Sequence, residues 1–187
     1  MIEKDTTSIG TGLQRYVNDE DVQSEWFSVP VFREAIKKIQ GLETDSILDV
    51  GCGNGRLNIV HEKSFSKIVG IDKFRSPNQK YCVSNFEFME ADIFDIKDKF
   101  SVVLFMGSFY IHCCYGYLET LIQAKKIMEK NGKIIIVDDK KRNIDSVSKL
   151  QNGYYNLEDL CLKSDLKIDQ KFVDKDTPFS LCVLGAI

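Results

Sequence analysis

The sequence lacks a basic segment, a long apolar run and paired metal-binding cysteines. Its 25 lysines and arginines are outnumbered by 28 aspartates and glutamates, and no stretch gathers the positive charge that a phosphate backbone demands. This disfavours nucleic acid as a partner. The longest apolar run, 181–187, is far too short to span a bilayer, and residues 1–6 contain no apolar signal core. We therefore expect a cytoplasmic protein without a membrane segment.

The six cysteines form no C-x-x-C pair and have no histidine at metal-ligand spacing. Several lie in apolar runs, where a free thiol behaves as a small hydrophobic side chain. We expect buried, reduced thiols. Redox sensitivity of Cys52 or of the Cys113–Cys114 pair is the alternative.

Length and apolar content are sufficient for one core but short for two domains: 187 residues, of which 43% are hydrophobic. Residues 1–40 are predicted to form an N-terminal helical cap, with helical segments broken near Pro30, and residues 41–187 the core. Helical patterns alternate with strands, which predicts a parallel sheet with helices on both faces. The last two strands follow one another directly, as in an antiparallel pair. The predicted strands are 46–50, 67–71, 85–89, 101–106, 132–138, 167–174 and 179–186.

Two helix boundaries are predicted from local signals. Asn131 and Gly132 are typical of the end of a helix, which we expect to span 117–130. Asn156 is followed by acidic residues, and this pattern predicts the start of the last helix.

The central motif is the segment Ile47–Leu57, in which a buried strand runs directly into Gly51, Gly53 and Gly55. Glycine is needed where the backbone takes a positive φ or where a ligand approaches closely, so a nucleotide-like ligand is expected. A dinucleotide fingerprint requires G-x-G-x-x-G, but the third glycine position is occupied by Arg56. The spacing therefore argues against a nicotinamide cofactor.

The pattern Asp49-x-Gly51-x-Gly53-x-Gly55 resembles motif I of the class I S-adenosylmethionine-dependent methyltransferases. The segments 68–72 and 86–93 follow in the family's order, so that the resemblance covers residues 41–187. It implies a Rossmann-like seven-stranded, mostly parallel sheet with an antiparallel last strand. It also implies S-adenosylmethionine as the methyl donor and S-adenosylhomocysteine as the product.

The resemblance implies a cofactor site at the carboxyl ends of the strands. Asp72 would accept hydrogen bonds from the ribose diol, although a solvated surface acid is the alternative. Asp92 would lie near the adenine amine and the Ile93 amide near a ring nitrogen, unless Asp95 takes the role of Asp92. The full set of expected cofactor-binding residues is Asp49, Gly51, Cys52, Gly53, Gly55, Asp72, Lys73, Asp92, Ile93 and Met106.

The segment after the fourth strand, 107–112, should face the methyl acceptor. It lacks the Asn- or Asp-Pro-Pro-aromatic motif of methyltransferases that act on amines of nucleic acid bases, which favours a small-molecule acceptor. His112 is a candidate general base and Tyr110 a candidate substrate contact, because His112 and His61 are the only histidines and His61 is expected to face solvent. The alternatives are that His112 is only structural and that alignment suffices for the chemistry.

Asp138 and Asp139 follow the fifth strand and are expected to contact substrate or the following loop. A metal site there is disfavoured because hard cations need several oxygen ligands. A protein or RNA methyltransferase, and a noncatalytic protein that binds S-adenosylmethionine, remain alternatives, and either a monomer or a homodimer is compatible with the sequence.

Overall fold

The computed structural model describes residues 30–42, 45–53, 55, 64–73, 84–109, 116–139, 155–173, 175–176 and 178–187. Within these ranges, seven strands form one sheet, and each prediction of a strand is confirmed to within a few residues. The strands are β1 (Ser46–Val50), β2 (Lys67–Asp72), β3 (Phe86–Glu90), β4 (Phe100–Met106), β5 (Met128–Asp139), β6 (Leu166–Val173) and β7 (Phe179–Ala186).

The sheet order is β3-β2-β1-β4-β5-β7-β6. Neighbouring strands from β3 to β5 are parallel, whereas β7 runs antiparallel to both β5 and β6. The chain builds β1, β2 and β3 outward in one direction and then returns to place β4 on the other side of β1. In such a sheet the ligand crevice lies beyond the carboxyl ends of the strands, where the order reverses. The predicted Rossmann-like sheet with an antiparallel last strand is confirmed.

Helices cover both faces of the sheet. They are α1 (Pro30–Gln40), α2 (Tyr117–Ile127) and α3 (Leu157–Lys163). Residues of α1 pack with one set of inward-facing strand residues, and residues of α2 and α3 pack with the other set. Successive side chains of β1 point to opposite faces of the sheet. Ile47 packs on the face covered by α1, and Leu48 packs on the face covered by α2 and α3.

The predicted N-terminal segment 1–40 is described only from Pro30 onward. Pro30 begins α1, a position that suits its fixed φ and missing N–H. Phe32 is buried on the sheet and its ring lies 5.1 Å from that of Phe179. The division of the chain at residue 40 stays a prediction.

The two helix boundaries predicted from local signals have different outcomes. Asn156 does cap α3, because its Oδ1 accepts the Asp159 N–H at 2.9 Å. The expected end of α2 at Lys130 is wrong: the helix ends at Ile127 and the chain continues as β5. Gly132 lies inside that strand, where a Cβ would come within 2.7 Å of the Ser101 carbonyl oxygen.

No helix among the described residues is both long and apolar enough to cross a membrane.

Candidate active site

The glycine turn that follows β1 is held against the end of β2. Gly51, Gly53 and Gly55 have φ values of +75°, +56° and +77°, which L side chains rarely adopt. The N–H groups of Gly51 and Cys52 both donate to the Ile71 carbonyl, at 2.8 and 3.1 Å. The sequence pattern therefore does produce a tight turn at the sheet edge where a ligand is expected.

Gly51 lies against the segment that follows β4. A Cβ on Gly51 would be 2.6 Å from the Ser108 Cβ, and the Ser108 hydroxyl donates to the Val50 carbonyl. Ser108 is buried. Gly51 is thus required for close packing between two strand ends, and Ser108 is a contributing residue that the sequence motif did not identify.

The Cys52 side chain lies against β2. A Cβ on Gly70 would lie 2.7 Å from the Cys52 Sγ. Burial, followed by the negative charges of Asp49 and Asp72, raises the pKa of the Cys52 thiol far above its ordinary value. Cys52 is accordingly a protonated packing residue, and it is the backbone of Cys52 that belongs to the turn.

Asp72 links the end of β2 to the glycine turn. Its Oδ2 accepts the Gly53 N–H at 3.0 Å. The carboxylate predicted to bind ribose therefore already contacts the glycine turn. The next residue, Lys73, places its Nζ 3.6 Å from the Asp92 Oδ2 and so connects the end of β2 to the end of β3.

Asp92 begins a single 3₁₀ turn, Ile93–Asp95. Its Oδ1 accepts the Phe94 N–H at 3.3 Å, while the Asp95 Oδ2 accepts the Asp92 N–H at 3.0 Å. This reciprocal capping box uses both acids that the sequence left as alternatives. The Ile93 side chain is fully buried.

Asp49 and Met106 are both buried. Asp49 is 1% exposed and lies on β1 between Gly70 and Leu104 of the neighbouring strands. Met106 ends β4 and packs within the core on the α1 face.

A second polar group lies at the end of β5. Asp138 is buried; its Oδ1 accepts the Asp139 N–H at 2.8 Å and its Oδ2 accepts the Tyr155 hydroxyl at 3.3 Å. Burial, followed by the charge of Asp138, raises the pKa of Tyr155. The Tyr155 ring packs edge-on against Phe109 at 5.1 Å between centroids. Tyr155 was missed in the sequence because its partners lie on distant segments.

The candidate acceptor-side residues Tyr110 and His112 lie outside the described residues, as does His61. Asp139 is half-buried at the end of β5. Across the described ranges, no group of three or more histidine, cysteine or acidic residues is placed to hold a metal ion.

The chain matches a family model described as a methyltransferase domain over residues 19–165. This span exceeds half of the sequence, and the chain belongs to that methyltransferase family. A search of the curated proteins finds no match. Together with the sheet order and the glycine turn, the family match makes this a class I S-adenosylmethionine-dependent methyltransferase, as the sequence predicts.

Solved structures share the fold at low sequence identity. A chain in the complex of the Haloferax volcanii Trm112 methyltransferase activator with a proposed methyltransferase has a TM-score of 0.71 and 14% identity, over 93% of this chain and 97% of that one. The Burkholderia thailandensis 1,6-didemethyltoxoflavin-N1-methyltransferase, with bound 1,6-didemethyltoxoflavin and S-adenosylhomocysteine, has a TM-score of 0.69 and 13% identity over 98% and 91%. An S-adenosylmethionine-dependent methyltransferase from Clostridium acetobutylicum has a TM-score of 0.66 and 14% identity over 96% and 99%.

Proposed function

We propose that this protein transfers the methyl group of S-adenosylmethionine to a small-molecule acceptor. The observation that carries the proposal is the junction of three neighbouring strand ends. The glycine turn after β1, Asp72 at the end of β2 and Asp92 just beyond β3 are joined by direct contacts.

The residues at this junction fit an adenosyl ligand. Carboxylates accept hydrogen bonds from hydroxyl and amino groups and form stronger bonds than neutral acceptors do. In the proposed arrangement Asp72 binds the ribose diol, Asp92 and the Ile93 amide read adenine, and the backbone of Gly51 and Gly53 faces the methionine portion.

The remaining predicted residues support that arrangement from its margins. Gly55 closes the turn through its N–H, which donates to the Cys52 carbonyl at 2.9 Å. Lys73 pairs with Asp92 and is 44% exposed in its side chain, so it flanks the adenine position. Asp49 and Met106 lie buried in β1 and β4, the strands on either side of the point where the strand order reverses.

S-adenosylmethionine supplies an activated methyl group whose leaving group is a neutral thioether. The chain's main task is then to align the acceptor, and alignment alone can supply a large part of the rate enhancement. His112 would take a proton from an acceptor that is protonated near neutral pH, and Tyr110 would form part of the acceptor's binding surface. Asp139 is the last residue of β5 and lies at the edge of the sheet where the parallel strands end.

Two observations favour a small acceptor. The chain has a net charge of −3 and no basic segment, and the Burkholderia thailandensis structure that shares its fold holds a small heterocyclic acceptor. A methyltransferase that depends on a partner protein is the second candidate, because the Haloferax volcanii structure is a complex with an activator.

Titration calorimetry with S-adenosylmethionine, S-adenosylhomocysteine and NAD tests the cofactor. We expect both adenosyl ligands to bind and NAD not to bind, because the turn has G-x-G-x-G spacing. Tight NAD binding without a response to either adenosyl ligand would refute the proposal. Formation of S-adenosylhomocysteine from S-adenosylmethionine, measured with pooled small molecules as acceptors and separately with cell protein and RNA, then tests the acceptor class.

His112→Ala tests the proposed base with an acceptor identified in that screen. If His112 removes a proton, kcat should fall by about 10²–10⁴-fold with little change in S-adenosylmethionine affinity. The wild-type rate should rise with pH through the histidine range, and the variant should lack that limb. Full activity in the variant would exclude the base role.

A further inference from the structure

The buried side chain of Gln123 connects α2 to the turn that follows β3. Gln123 is 9% exposed. Its Nε2 donates to two backbone carbonyls, those of Ile93 and Ile96, both at 3.1 Å. These carbonyls bracket the 3₁₀ turn, so one amide group fixes both of its ends.

Glutamine suits this position because its amide nitrogen has two hydrogens to donate. The Ile93 carbonyl also accepts the Ile96 N–H at 3.3 Å within the turn, so Gln123 is its second donor. Burial makes the loss of a carbonyl's hydrogen-bond partner costly. An apolar residue of the same length would fill the space between α2 and the turn but would supply no donor. The side chain therefore positions the turn by hydrogen bonding in addition to packing.

Gln123 is connected to Asp92 through one rigid peptide unit. The carbonyl of Ile93 and the N–H of Phe94 belong to the same planar trans peptide and point in opposite directions. Gln123 holds the carbonyl from the interior, and the Asp92 Oδ1 accepts the N–H at 3.3 Å on the other side. The orientation of this peptide thus contributes to the orientation of the Asp92 carboxylate, whose Oδ2 also lies 3.6 Å from the Lys73 Nζ.

We infer that Gln123 is a positioning residue for purine recognition: it holds the Asp92 carboxylate in the orientation that selects a 6-amino purine over a 6-oxo purine. The inference rests on the proposed cofactor site. A 6-amino group donates to a carboxylate, whereas a 6-oxo group is an acceptor and is repelled by it.

The test compares S-adenosylhomocysteine with S-inosylhomocysteine, in which the purine carries the 6-oxo group. Wild-type protein should prefer the adenosyl ligand in calorimetry. Gln123→Met keeps the length and removes both donors, and it should lower the preference by about 3–10-fold, the change expected when an ordinary hydrogen bond is lost.

A double-mutant cycle separates positioning from general stability. In an Asp92→Ala background, Gln123→Met should have little further effect on the preference, because its route to the ligand is already removed. Ser46→Ala is the matched control: Ser46 Oγ accepts the buried Ser101 N–H at 3.1 Å at the opposite end of β1. This control should lower thermal stability but leave the preference unchanged.

The possible outcomes distinguish the inferred role of Gln123 from the proposed cofactor site. An unchanged preference in Gln123→Met, or an effect that persists in full without Asp92, overturns the inference and leaves the cofactor proposal intact. Equal wild-type affinity for S-adenosylhomocysteine and S-inosylhomocysteine also overturns the inference and leaves the cofactor proposal intact. Wild-type protein that binds neither ligand refutes the proposed function and the inference together. If Gln123→Met does not fold, Gln123→Asn keeps the amide with a shorter reach, and an unchanged preference in that variant also overturns the inference.

Discussion

Replacing Asp72 by alanine should weaken S-adenosylhomocysteine binding by about 1.5–3 kcal/mol, or roughly 10–150-fold in Kd. The range is that of hydrogen bonds to a charged group. The structure adds a second reason for the loss, because the Asp72 Oδ2 also holds the Gly53 N–H at 3.0 Å. Alanine removes both the proposed ribose acceptor and the anchor of the turn.

Asp72→Asn separates these two effects. The amide keeps one acceptor oxygen, which can serve the Gly53 N–H or a ribose hydroxyl but has no negative charge. We expect a loss of affinity between those of wild type and Asp72→Ala. Folding should be nearly intact in both variants, because Asp72 lies at the end of β2 and is only half-buried.

Calorimetry and thermal unfolding of the same samples provide the assay. Asp98→Ala is the matched control, because it also removes one negative charge and Asp98 pairs with Lys67 at 3.2 Å near the amino end of β2. The Asp98 side chain is 71% exposed, so this pair contributes little to stability and should not affect the ligand. Equal affinities for wild type, Asp72→Ala and Asp98→Ala would refute the assignment of Asp72 to the ribose.

Three further perturbations test the packing around the site. Gly51→Ala should lower the free energy of unfolding by about 2–5 kcal/mol in urea titrations, because it adds an overlap with Ser108 to an unfavourable positive φ; a loss below about 1 kcal/mol would contradict the close approach. Tyr155→Phe should cost about 1–3 kcal/mol and shift the urea midpoint at unchanged slope, since buried Asp138 loses a donor, and an unchanged midpoint would show that the bond contributes nothing. Iodoacetamide at pH 8 should alkylate Cys52 only after unfolding, because its raised pKa keeps the thiol protonated; peptide mapping of the folded protein would reveal the contrary result.

The strands could be predicted because their signals are local. Buried strands give short apolar runs, and glycines mark where β1 ends. The end of α2 could not be predicted in this way. Asn131 and Gly132 are locally typical of a helix terminus, but Gly132 is needed because β5 passes close to the Ser101 carbonyl, a contact between segments about thirty residues apart.

The composition of the site was predictable in part, whereas the directions of its side chains were not. The positions of Asp72 and Asp92 follow from their place just after apolar strands. That Cys52 faces Gly70, and that Gln123 reaches the turn after β3, depends on how strands and helices pack across the sheet. Such contacts leave no pattern in a single sequence, because a buried glutamine on a helix resembles any other polar residue until its partners are known.

The antiparallel direction of β7 determines where two elements of the chain begin. Because β7 runs opposite to β5, with Asp139 paired to Phe179, the chain enters β7 at the same edge where β1, β2 and β4 end. Phe179 also contacts Phe32 near the start of α1, so the chain enters that helix at the same edge. Both elements therefore begin at the edge of the sheet that carries the glycine turn, and sequence changes at these two starting points can accumulate during evolution while the strands that carry the turn remain unaltered.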